Sequence, residues 1–175
     1  MDEAVEQTEN AKNLQLFLDQ ATRLFEIEAT ARGELESKAV TLVGFSGLMA
    51  SLMVFGFENI KTIESLPLQI LAVIFALLSM GLTGAAAIIG ILTIAPADFH
   101  ADPNPIIFRK EYRNKEHQLT VDTLTANIAD SWDKNRIINL QKAKNVELIG
   151  KLIALNIICL ILFVITITYS YLCLR

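Results

Sequence analysis

"GELESKAVTLVGFSGLMASLMVFGF", Gly33 to Phe57, decides the fold. It opens with Glu34, Glu36 and Lys38, then carries no charge from Ala39 to Phe57. A soluble helix keeps a polar face at 3.6-residue intervals, and this stretch keeps none. The run is long enough to cross a bilayer core, which takes about 20 apolar residues. Two further runs lack Asp, Glu, Lys and Arg: Ser65–Ala97, longer than one crossing requires, and Leu152–Leu174. Backbone groups inside hydrocarbon must bond to one another, so all three are expected to be helices.

The chain is therefore read as an all-α integral membrane protein with three transmembrane helices and a small helical cytoplasmic layer. Its expected parts are a cytoplasmic N-terminal helix (1–38), transmembrane helix 1 (39–57), an external loop (58–66), transmembrane helix 2 (67–96), a cytoplasmic loop and helix (97–151) and transmembrane helix 3 (152–174). Pro67 suits the first turn of the second helix, with Ser65 or a neighbour as its cap, and Pro96 closes the far end. Hydroxyl groups within the spans can bond back to the helix, whereas Asn156 is expected to face another helix. Tyr169 and Tyr171 fall where interfacial aromatics belong.

Composition agrees: 53% of the 175 residues are hydrophobic, and the mean hydropathy is +0.43. The net charge of −4 argues against a nucleic-acid polymer as partner, since that needs a basic surface. The acidic start "MDEAVEQTEN" lacks the basic and apolar regions of a signal peptide, so cleaved export is not expected. Cys159 and Cys173 are separated by about 21 Å of helix, too far for a disulfide. Lys12, Arg23, Arg32 and Lys38 precede the first span, only Lys61 lies between the first two, and Arg109, Lys110, Arg113, Lys115, Lys134, Arg136, Lys142 and Lys144 lie in the segment before the third. Positive-inside bias then places the N-terminus and central segment in the cytoplasm and the C-terminus outside.

Within the N-terminal helix, Leu14, Phe17, Leu18, Leu24, Phe25 and Ile27 are expected to form an apolar stripe. The helix can run through Gly33 into the first span. Val121, Leu124, Ile128, Trp132, Ile138 and Val146 recur at near-helical intervals, and their helix feeds into the third span. The segment between, "PADFHADPNPIIF", reads as a loop.

Chemistry is sparse. Asp98, His100 and Asp102 read as a polar loop rather than a metal site, and His117 beside Glu116 has no nucleophile to activate. Phosphate-binding and dinucleotide motifs are missing, so no catalytic residue, metal or cofactor is expected. The spans carry no ionisable Asp, Glu, Lys, Arg or His, which argues against an ion-coupled transporter. The candidate ligand-binding residues are Lys38, Arg109, Lys110, Tyr112, Arg113 and Trp132: cations suit a phosphate and aromatic rings suit a base. The plainer reading of the basic residues is that they face solvent or anchor the segment at anionic lipid headgroups. Gly44, Gly47 and Ser51 in the first span, with Gly81, Gly84, Ala87 and Gly90 in the second, form candidate helix-packing faces, within one subunit or between subunits of a homo-oligomer.

The order of segments resembles a known family. "ESKAVTLVGFSGLMASL" after an N-terminal helix, a second span, and then "TANIADSWDKNRIINLQKAKNVELIGKLIAL" entering a last span is similar to the transmembrane effectors of bacterial Pycsar (pyrimidine cyclase) anti-phage systems. Ser37-Lys38-Ala39 and Lys142–Lys151 carry most of the likeness; where family members often have an aspartate before Lys-Ala, this chain has Ser37 preceded by Glu36. The resemblance implies a non-enzymatic effector in the bacterial inner membrane. It would respond to cyclic UMP or cyclic CMP made by a partner cyclase, and would impair the membrane to abort infection. A scaffold subunit, or an effector driven by another nucleotide or a protein sensor, is the competing reading.

Overall fold

The computed structural model describes residues 2–96, 100 and 117–173, with side chains from residue 12 onward and up to residue 172, except that of His117. Among these, all regular structure is helical: α1 Asp2–Ile60, α2 Leu66–Ile94 and α3 His117–Cys173. Each is long and apolar enough to cross a membrane. α1 continues through Gly33 without a break, and α3 runs without a break into the third apolar stretch.

The helix ends follow local chemistry. Thr62 closes α1 by donating its backbone N–H and its hydroxyl to the Asn59 carbonyl, at 3.2 and 2.7 Å. Pro67 sits in the first turn of α2, where a missing N–H costs nothing. Ser65 is the cap residue by backbone conformation, but its hydroxyl makes no capping bond; its carbonyl accepts from Gln69 N–H instead. At the other end Pro96 forces the preceding residue out of helical geometry, and Ala95 is extended (φ −50°, ψ 140°).

The chain divides into two compact units. One comprises 1–34 and 96–141, the other 35–95 and 142–175. The stretch Lys142–Lys151, read from sequence as the end of the cytoplasmic segment, thus packs with the apolar helices.

In the apolar unit the buried positions of every helix recur at steps of three and four. On α2 they are Ala72, Ala76, Ser79, Thr83, Ala86, Gly90 and Thr93. On α1 they include Ala39, Ser46, Met49, Met53 and Ile60, and on α3 Lys142, Ile149, Ile153, Asn156, Phe163 and Ser170. A seven-residue repeat is the pattern of left-handed coiled packing. The α2 face of the seam is made of small residues, which let the larger buried side chains of α1 and α3 (Met49, Met53, Ile149, Phe163) pack against its backbone. Many large side chains point outward: Leu48, Leu52, Val54, Phe55, Ile88, Leu92 and Ile161 are all more than half exposed.

Gly90 lies against Val43, and an added Cβ would overlap the valine methyl; Gly56 lies likewise against the Phe163 ring. Gly44, Gly47, Gly81 and Gly84 face open space and Ser51 is exposed. Of the expected packing glycines, therefore, only Gly90 belongs to the seam within the chain. The hydroxyls of Thr41, Ser46, Ser51, Thr93, Thr166 and Thr168 each bond to the carbonyl four residues earlier. Cys159 is buried with a free thiol, and the Cys173 side chain lies outside the described residues.

In the other unit, Ala21, Val121 and Ile128 are buried. Leu14, Leu18, Leu24 and Phe25 are half-buried, whereas Phe17 and Ile27 of the expected stripe are exposed at 56% and 52%. Ala21, small and unremarkable in sequence, is the buried residue of that stretch instead.

Candidate functional site

Among the described residues, polar clusters interrupt the packing in both units. In the apolar unit, Lys142 donates to Glu36 at 2.5 Å, with the lysine side chain 6% exposed and the glutamate 29%. A buried ammonium is tolerated only when paired. The pair joins α3 to α1 one residue before Ser37-Lys38-Ala39.

Farther along the same seam lies Asn156, 1% exposed. Its amide donates to Thr83 Oγ1 at 2.7 Å and to Met49 Sδ at 3.2 Å, and its carbonyl oxygen accepts from the Ser79 hydroxyl. One side chain therefore ties all three helices together, as expected for a lone asparagine in an apolar run. Asn156→Leu is expected to cost about 1–2 kcal/mol. The loss should appear as a lower unfolding temperature in detergent, with helix content at low temperature unchanged.

In the other unit, Asn139 donates to both the carbonyl and the carboxylate of Glu28, at 2.8 and 2.7 Å. Its own Oδ1 is buried without a hydrogen-bond partner. Asn135, fully buried, exchanges two 2.9 Å hydrogen bonds with the backbone of His100. This peptide-like clamp anchors the chain shortly after α2; the His100 side chain plays no part in it. With Lys142, these asparagines are the polar members of a buried repeat that sequence reading, which seeks polar residues at the surface, did not find. Their seven-residue recurrence (Asn135, Lys142, Ile149, Asn156, Phe163) was the available signal.

Trp132 lines a groove of about 260 Å³ with Phe17, Gln20, Ala21, Leu24, Thr125 and Ala129. The Arg136 guanidinium lies 5.5 Å from the centre of the indole ring, within cation–π range. Of the other ligand-binding candidates, Lys38 is exposed at the start of the apolar stretch. Arg109, Lys110, Tyr112 and Arg113 lie outside the described residues, as do Asp98, Asp102 and Glu116.

Among the described residues, no cluster of His, Cys, Asp and Glu could hold a metal ion. On α3, Glu147 and Lys151 form an exposed pair at 2.6 Å, and the lysine's hydrogen bond and charge hold the glutamate below its usual range. That interaction is present above the unfolded pKa and is lost as pH falls through the folded one. Solvent screening makes it small.

No protein-family model, curated protein or solved structure matches the chain.

Proposed function

We propose that this chain is a bacterial inner-membrane effector that binds a cyclic pyrimidine nucleotide, cyclic UMP or cyclic CMP, and responds by impairing the membrane and aborting phage infection. The reading rests on the resemblance of Ser37-Lys38-Ala39 and Lys142–Lys151 to the Pycsar effectors. The Glu36–Lys142 pair, which ties the first residue of the second stretch to the residue just before the first, is the observation that supports it best. In this reading the N-terminus and the 97–151 segment are cytoplasmic, the C-terminus is external, and the protein works as a homo-oligomer. A nucleotide cyclase supplies the ligand by diffusion, and the effector itself catalyses nothing.

The physical requirement is differential affinity: the nucleotide must bind the active arrangement better than the resting one. Helices α1 and α3 each contribute to both units without a break at the division. Helix backbone can then carry a rotation set by ligand in one unit into the seam of the other. Trp132 and Arg136 offer a stacking ring and a cation for base and phosphate. Trp132 is the chain's single tryptophan, so its emission should shift or quench as cyclic UMP or cyclic CMP is added. Trp132→Phe should lose that signal and keep the leakage response, whereas Trp132→Ala should lose both.

The cellular test is co-expression in bacteria. With an active pyrimidine cyclase, cells carrying this protein should lose membrane potential and stop growing; with a catalytically dead cyclase they should grow. Equal growth in both cultures would contradict the proposal.

A further inference from the structure

The three apolar stretches, taken singly, are each long enough to span a bilayer; packed together they share a much shorter charge-free band. Contacts within the apolar unit fix the register. Glu36 meets Lys142 and Met49 meets Asn156, at chain separations of 106 and 107. Gly56 meets Phe163 farther on. α1 and α3 therefore run parallel and in step. α2 runs antiparallel, with Gly90 against Val43 and Ile149, and with Thr83 and Ser79 at Asn156.

This register places charges at common levels. Lys151, 71% exposed, stands level with Gly44 and near Ile88, in the first third of the span that begins at Ala39. Exposed Glu58 of α1 stands level with Ile165, well inside the third apolar stretch. Between Lys151 and Glu58 the charge-free part of the unit runs over 45–57 on α1, about 75–87 on α2 and 152–164 on α3. At 1.5 Å per residue those roughly 13 residues span about 20 Å, whereas a bilayer core is about 30 Å thick.

Side-chain direction relieves only one end. Helical side chains lean toward their helix N-terminus. Lys151 therefore leans away from the band and its long stem can reach the headgroups. Glu58 leans back into the band, on a short stem.

We infer that the apolar unit fits a bilayer thinner than ordinary, and that it thins the lipid around itself when placed in a normal one. This rests on reading the three helices as membrane spans. It also gives the proposed effector a physical means of damage: association of copies merges their thinned lipid rims into a weakened patch, with no aqueous pore through the seam.

The test is reconstitution of the full-length protein into phosphatidylcholine vesicles with monounsaturated chains of about fourteen, eighteen and twenty-two carbons. Readouts are the carbonate-resistant fraction and the unfolding temperature. Incorporation should be highest with the shortest chains and fall at least about tenfold toward the longest. Glu58→Leu combined with Lys151→Leu should move the optimum to the middle length. An optimum for the wild-type protein at the middle or longest chains overturns the inference, whatever the variant does. Carbonate stripping from every vesicle overturns it together with the membrane reading. A thickness preference without any nucleotide response leaves the inference standing and removes the signalling reading alone.

Discussion

Lys142→Ala should lower the unfolding temperature of the purified protein by about 5–10 °C. Removing one member of a buried ion pair commonly costs 3–5 kcal/mol, because the surviving charge is left in a poorly solvated place. Here the survivor is Glu36, 29% exposed, so water recovers part of that cost. About 2–3 kcal/mol remains, including the packing of the lysine stem; for a domain of this size each kcal/mol shifts the midpoint by about 2–4 °C. Lys142→Met restores the stem but not the charge and should recover part of the loss. The double substitution Lys142→Met with Glu36→Gln should recover most of it. Should the double variant be as unstable as Lys142→Ala, the ion pair is not what holds α1 to α3.

The second large effect separates the glycines into two groups. At Gly90 an added Cβ meets the methyl of Val43, and a helical valine has essentially one χ1 rotamer to offer. Gly90→Ala should therefore cost about 1–3 kcal/mol through overpacking, and Gly90→Val should cost more. At Gly44, Gly47, Gly81 and Gly84 nothing lies within 4 Å of an added Cβ. Alanine there should be neutral or stabilise the single chain by up to about 1 kcal/mol through helix propensity. If those faces join copies, Gly47→Leu should leave the unfolding temperature of the dissociated chain intact. It should also abolish cross-linked oligomers in membranes. Cross-linking that survives leucine at both Gly47 and Gly84 removes those faces from the assembly. Thermal unfolding in detergent and cross-linking in vesicles read the two effects separately.

This division was only partly legible in the sequence. The three apolar runs were plain, because charged residues bound them and Pro67 and Pro96 mark both ends of α2. Which face of each run packs inward was not. When nearly every residue is apolar, hydrophobic periodicity vanishes, and residue volume decides the seam. Glycines draw the eye, yet the α2 seam runs mainly through Ala72, Ala76, Ser79, Thr83 and Ala86, which look like filler. Asn156 could be read as inward-facing because a lone amide in hydrocarbon has to find a partner. Lys142 and Asn139 could not, since in a polar segment they look like surface. The short common band was hidden for a related reason: span length belongs to one helix, but the level of a charge depends on how helices are staggered. Glu58 and Lys151 look like ordinary end markers until the register aligns them.

Dye release from vesicles containing the purified protein alone tests the proposal that a cyclic pyrimidine nucleotide drives this chain to breach a membrane. Cyclic UMP or cyclic CMP should release entrapped dye, while cyclic AMP and cyclic GMP should not. Lys142→Ala should blunt the response. Vesicles that hold the inserted protein and retain their dye with every cyclic nucleotide would contradict the account.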